Sequence, residues 1–69
     1  MKRSDVIRRI RAQARSSGKE FAIYELKNHT GIKVGNTAST LGRHAEIDDL
    51  TAKKFFDQFQ AEFGKGWWR

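Results

Sequence analysis

The chain of 69 residues contains no cysteine, so neither a disulfide framework nor a thiolate metal site supports its fold. It also contains no long apolar run, and arginines interrupt its first 15 residues, which argues against a membrane span and a secretory signal. The lack of cysteine fits a reducing compartment, and we expect a cytoplasmic protein. A chain this short buries only about 60% of its unfolded surface. We expect residues 1–69 to form one domain, with a core at about 4–63 and a tail at 64–69.

Positive charge is in excess and is unevenly distributed along the chain. Fourteen lysines and arginines stand against eight carboxylates, a net charge of +6. Residues 1–15 carry six basic residues and one acidic residue, a net +5, whereas residues 45–63 carry two lysines and five carboxylates, a net −3. Such a polarised field attracts a polyanion, above all nucleic acid. The simpler alternative is a charged surface that only keeps the protein in solution.

The N-terminal third predicts an amphipathic helix over about residues 5–16. The hydroxyl of Ser4 can cap the first turn by accepting from its free amide hydrogens, and Asp5 suits the positive end of the helix dipole. Gly18 is suited to a left-handed conformation just after the helix ends. The apolar residues at helical spacing are Val6, Ile7, Ile10 and Ala14.

The middle of the chain predicts three short antiparallel strands. "EFAIYEL" at 20–26 and "HTGIKVG" at 29–35 alternate as strands do, with Lys27 and Asn28 as a tight turn between them. "GNTAS" predicts a second turn and "STLGRH" at 39–44 a third strand. Alternation places His29 and Lys33 on the face opposite Ile32.

The C-terminal third predicts a helix that is capped by Asp48 or Asp49 and followed by Gly64. Its apolar stripe is Ala52, Phe55, Phe56, Phe59 and Phe63, which we expect in the core. Trp67 and Trp68 either fold back onto this core or remain free. The chain is therefore expected to have an α+β fold of order α-β-β-β-α, a three-stranded antiparallel sheet with both helices on one face.

The only two histidines are His29 and His44, which are too few ligands for a zinc site. Neither a nucleophile elbow nor a glycine-rich phosphate loop is present, so we expect no metal and no small-molecule cofactor. Cleavage of RNA requires none of these features, because the 2′-hydroxyl beside each phosphate is the nucleophile. A histidine with a pKa near neutrality is a suitable general base or acid for that reaction.

Cationic side chains near His29 in the sequence could stabilise the charge on the phosphoryl oxygens. These candidate RNA contacts are Lys27, Lys33 and Arg43. Arg8 and Arg9 on the first helix would add electrostatic guidance of the RNA. His44 lies beside Arg43. We expect it to cap or orient the following helix in preference to the alternative role of binding phosphate.

Three segments together resemble the HicA family of toxin–antitoxin ribonucleases: "KRSDVIRRI" at 2–10, "NHTGIKV" at 28–34 and "GRHAEIDDLTAKKFFDQF" at 42–59. The resemblance covers about residues 2–60. It implies a double-stranded-RNA-binding-domain-like fold, metal-independent cleavage of messenger RNA during stress, and neutralisation by a HicB-type antitoxin. Carried over by position, it implies that His29 is the catalytic residue.

Two other functions remain open at this point. One is a non-catalytic module that binds double-stranded RNA or DNA through shape and phosphate contacts. The other is an adaptor whose basic face docks an acidic protein.

Overall fold

In the computed structural model, which describes residues 1–69, helix α1 spans Arg3–Ser16. It buries the four predicted apolar residues, Val6, Ile7, Ile10 and Ala14. Gly18 follows the helix with a φ of 67°, in the left-handed region that favours glycine. The apolar stripe and the end of this helix are therefore confirmed.

The start of α1 differs from the prediction. The helix begins at Arg3, its N-cap residue is Lys2, and no side chain caps it. A short backbone pairing fixes this position, because Arg3 N donates to Ala45 O at 2.9 Å and Ile47 N donates to Met1 O at 2.7 Å. The predicted role of Ser4 as the cap is thus wrong, since a contact from residue 45 determines where the helix begins.

Strands β1 (Phe21–Glu25), β2 (Thr30–Val34) and β3 (Thr37–Leu41) form an antiparallel sheet in the order β1-β2-β3. The turn between β2 and β3 contains only Gly35 and Asn36, and Gly35 has a φ of 57°. A two-residue turn with glycine first matches the right-handed twist of hairpin strands. The third strand therefore begins and ends earlier than predicted, and Thr37 and Ala38 are strand residues, not turn residues.

The two faces of the sheet have different environments. Thr30, Ile32, Val34 and Leu41 face the helices and are buried. The other side, which we name the open sheet face, consists of Ala22, Tyr24, Gly31, Lys33, Ala38 and Thr40. All of these except Gly31 are exposed, so no other part of the chain covers this face.

The predicted C-terminal helix is divided into α2 (Asp49–Asp57) and α3 (Gln60–Phe63). Asp48 caps α2, with its carboxylate accepting from Thr51 N and Thr51 Oγ1, both at 3.0 Å. Phe59 lies at the break and is fully buried, and Gly64 ends α3 with a φ of 96°. Asp48 as the cap and Gly64 as the terminator are both confirmed.

The two tail tryptophans fold back onto α2. Trp67 Nε1 donates to Phe56 O at 2.9 Å, and Trp68 Nε1 donates to Asp57 Oδ1 at 2.7 Å. The Trp67 ring packs edge-on against Phe56 and Phe63. One core therefore joins α1, one sheet face, α2 and part of the tail, which gives the expected α+β class. None of the helices is both long and apolar enough to span a membrane.

Candidate functional site

His29 lies in the turn between β1 and β2, which comprises residues 26–29. The bond from Leu26 N to His29 O, at 2.8 Å, closes this turn, and β2 begins only at Thr30. His29 was predicted to be the first residue of the strand, and the structure places it one position before the strand. Its side chain is exposed, and its hydrogen bonds use only the backbone carbonyl, so the imidazole is left for an outside partner.

The guanidinium of Arg43 holds this turn from the neighbouring segment. It donates to three backbone carbonyls: Leu26 O, Lys27 O at 3.2 Å and His29 O at 3.1 Å. The planar fork of arginine presents several donors at once, which suits convergent carbonyl oxygens. Arg43 therefore fixes the backbone that carries His29, and its cation lies beside that residue.

A second layer of contacts supports the turn from the core side. Thr30 is fully buried, its hydroxyl donates to Glu25 Oε1 at 2.6 Å, and it accepts from the guanidinium of Arg3. Arg3 also donates from Nε to Gly42 O at 3.2 Å. These bonds tie the end of β1, the start of β2 and the end of β3 to the first turn of α1.

The pKa of Glu25 is lowered from its usual value. The main cause is the hydrogen bond from Thr30, and the nearby positive charges of Arg43 and Arg3 act in the same direction. Arg43 Nη2 lies 3.6 Å from Glu25 Oε1. At neutral pH Glu25 is therefore ionised, and its carboxylate lies between the Thr30 hydroxyl, which Arg3 also contacts, and the guanidinium of Arg43.

The two lysines predicted to bind RNA lie at different distances from His29. Lys27 is in the same turn and is exposed. Lys33 is on the open sheet face, in register with Ala22 on β1 and Ala38 on β3. It is four positions along the chain from His29, about 13 Å at the usual rise of a strand. Lys27, His29 and Arg43 are thus adjacent, and Lys33 extends the positive charge along the sheet.

Arg8 and Arg9 lie apart from this cluster, on α1. Arg8 pairs with Asp5 at 3.1 Å, and the guanidinium of Arg9 contacts Trp68 O and lies 5.8 Å from the centre of the Phe56 ring. Both arginines therefore have partners within the helical layer, on the side of the molecule away from the open sheet face.

His44 is exposed in the segment between β3 and α2. The cap of α2 is Asp48, not His44, so the expected capping role of this histidine is not what the structure shows. Its imidazole lies close to Gly42, where Cδ2 would be 3.7 Å from a Cβ added to that glycine.

Sequence reasoning missed three residues that shape the site: Arg3, Glu25 and Thr30. In the sequence, the contact between Thr30 and Glu25 is indicated only weakly, by a threonine at an inward-facing strand position five residues after an acidic residue. Arg3, which donates to Thr30, is 27 residues away and gives no local signal. The sequence predicts Tyr24 as a strand residue but does not show that it lies opposite Gly31 in the sheet.

The site combines an exposed imidazole with nearby cations, and no group of three or more histidine and carboxylate side chains in the chain is arranged to hold a metal ion. No protein-family model, curated protein or solved structure matches this chain. The functional argument therefore depends on this geometry and on the sequence motifs.

Proposed function

We propose that this protein is a HicA-like endoribonuclease with a double-stranded-RNA-binding-domain-like fold, and that it cleaves messenger RNA with His29. One observation carries the proposal: the turn bearing an exposed imidazole is held by the guanidinium of Arg43 at the edge of an uncovered sheet face. An exposed imidazole can act as general base or acid, and nearby cations can stabilise the charge on the phosphoryl oxygens, so that cleavage of RNA needs no metal ion.

In this mechanism His29 takes the proton of a ribose 2′-hydroxyl. The hydroxyl oxygen attacks the adjacent phosphorus, and the bond from phosphorus to the 5′-oxygen of the next nucleotide breaks. That oxygen leaves with a proton from the protonated imidazole or from water. The products are a 2′,3′-cyclic phosphate and a 5′-hydroxyl, and no oxidant or metal takes part.

The cations have separate tasks in this proposal. Lys27, in the same turn as His29, neutralises the phosphoryl oxygens at the point of cleavage. Lys33 contacts a neighbouring phosphate along the sheet. Arg43 contributes its charge and also positions the turn, while Arg8 and Arg9 add long-range attraction from α1.

The same proposal includes a partner and a compartment. A HicB-type antitoxin would block the enzyme by covering the turn of residues 26–29 and the open sheet face. Toxins of this kind act on messenger RNA, so the protein would work in the cytoplasm.

A second candidate function is a non-catalytic module that binds nucleic acid. The observation that favours it is the absence of any side chain within the protein that orients the imidazole of His29. Catalytic histidines are commonly held in one tautomer by a second hydrogen bond.

Incubation of the purified protein with a long RNA, in the presence of EDTA, tests the proposal. We expect cleavage to 2′,3′-cyclic phosphate ends, and we expect His29→Ala to lower the rate by about 100-fold or more. His44→Ala is the matched control, because it removes the other exposed imidazole, and it should retain most of the rate. Binding without any cleavage would favour the second candidate, and equal cleavage by both variants would refute the role of His29.

A further inference from the structure

The ring of Tyr24 lies flat across the middle strand of the sheet. A Cβ added at Gly31 would come within 2.8 Å of Tyr24 Cδ2, and closer still to Cε2 and Cζ. Such an approach is possible only because residue 31 has no side chain. Glycine inside a central strand weakens the strand, and it commonly marks a place where another group comes close.

One face of this ring covers Gly31, and the other faces solvent. Tyr24 is 43% exposed, whereas Gly31 beneath it is buried. The other members of the open sheet face include the short side chains of Ala22, Ala38 and Thr40. A flat aromatic surface is therefore accessible, with only the longer side chain of Lys33 rising beside it.

The surroundings of the ring suit a polyanion. No residue of the open sheet face carries a carboxylate, and Lys33 is its one charged member. Gly31 lies two residues from His29, about 7 Å along the chain at the rise of a strand. A base placed on Tyr24 would thus have its own phosphodiester within reach of the turn that bears His29.

We propose that Tyr24 is a stacking platform for one unpaired base of single-stranded RNA, next to the bond that is cleaved. This inference rests on the proposed function, since it takes RNA as the ligand. Bases stack well on exposed aromatic rings of β-sheets, whereas the bases of a duplex are already stacked on each other. The site therefore selects unpaired RNA.

The competing explanation is structural, because an aromatic ring over a strand glycine also stabilises the sheet. Variants at one position separate the two explanations. Tyr24→Phe keeps an aromatic ring, and Tyr24→Leu keeps an apolar cover over Gly31 but cannot stack. Ile23→Ala is the matched control, because Ile23 is 42% exposed on the opposite face of the same strand.

The test compares two short 2′-O-methyl RNAs, which lack the attacking hydroxyl and stay intact. One carries its bases and the other is abasic with the same number of phosphates, and fluorescence anisotropy gives Kd for each at one salt concentration. Tyr24→Leu should weaken binding of the base-bearing RNA by about 5- to 150-fold and leave the abasic Kd unchanged. Tyr24→Phe and Ile23→Ala should bind as the unmodified protein does.

A second measurement reports on the ring itself. Tyr24 is the only tyrosine, so 3-fluorotyrosine gives a single ¹⁹F resonance. Base-bearing RNA should shift that resonance by stacking, and abasic RNA should shift it little.

Equal Kd values for Tyr24→Leu and the unmodified protein, equal ¹⁹F shifts with both RNAs, or no binding of either RNA would overturn the stacking role. If His29→Ala leaves cleavage unchanged while Tyr24 still contributes to base-dependent binding, only the proposed chemistry is refuted.

Discussion

At the scale of single residues, Arg43 shows how a candidate ligand contact also has a structural task. The sequence indicates a phosphate contact, because the arginine lies beside a histidine in a basic protein. Three of its hydrogen bonds instead end on carbonyls that are 14 to 17 residues away in the chain. Local sequence patterns do not reveal such contacts, since they depend on how β1 and β3 are placed around β2.

This arrangement predicts that Arg43→Ala destabilises the protein by about 1–2 kcal/mol, because three carbonyls lose a charged donor that is still partly exposed. Arg43→Lys should recover less than half of that loss, since an ammonium group lacks the planar fork. Chemical denaturation of the three proteins provides the measurement. A lysine variant as stable as the unmodified protein would show that charge alone, without the fork, holds the turn.

At the scale of elements, the spacing of apolar residues predicted those structural features that are determined within a single segment of the chain. The core faces of α1 and α2 follow from helical spacing, and the Asp48 cap follows from a polar residue just before an apolar stripe. The start of α1, the limits of β3 and the break at Phe59 depend on distant contacts. The catalytic candidate His29 was found from sequence, whereas its support by Thr30 and Arg3 required the fold.

Besides the packing of Phe63 on the core and on Trp67, a carboxylate joins helix α3 to the sheet. Glu62 accepts from Thr37 Oγ1 on β3 at 2.7 Å and lies 3.4 Å from the ammonium of Lys19, in the segment before β1. Its side chain is only 12% exposed. The bond from Thr37, followed by the contact with Lys19, lowers the pKa of this carboxyl group below its usual 4.5.

The lowered pKa predicts how stability changes in acid. Because the unfolded chain binds a proton at Glu62 before the folded protein does, the contribution of this residue is complete above about pH 4.5 and is lost as the pH falls through the lower folded pKa. Glu62→Gln should therefore be less stable at neutral pH and lose less stability between about pH 5 and pH 3. Urea denaturation across this range measures both effects. Glu20→Gln removes an exposed carboxylate, and its stability should change with pH as that of the unmodified protein does. An equal change of stability with pH in all three proteins would contradict the role of Glu62.

At the scale of the whole molecule, the fold engages several basic side chains of the most positive segment in contacts within the protein. Several basic residues of α1 have partners within the protein: Arg3 at Thr30, Arg8 at Asp5, Arg9 at Trp68, and Arg11 over the Phe21 ring at 5.3 Å. No ion pair joins Lys27 or Lys33, the two lysines near the candidate site, to another residue. Contact with RNA phosphates should therefore depend more on the sheet side than on the more basic helix.

The salt dependence of RNA binding tests this distribution. Each phosphate contact to a single strand contributes about 0.7 to the slope of log Kd against the logarithm of the salt concentration. The double variant Lys27→Ala with Lys33→Ala should therefore lower that slope by about 1.4. Arg8→Gln with Arg9→Gln removes the same charge from α1, and it should lower the slope by less than half as much, because these guanidinium groups act on the RNA from a distance. The measurement is anisotropy with one single-stranded RNA over a series of salt concentrations. A larger loss of slope from the α1 pair would place the RNA on the helical layer and leave the open sheet face to another ligand.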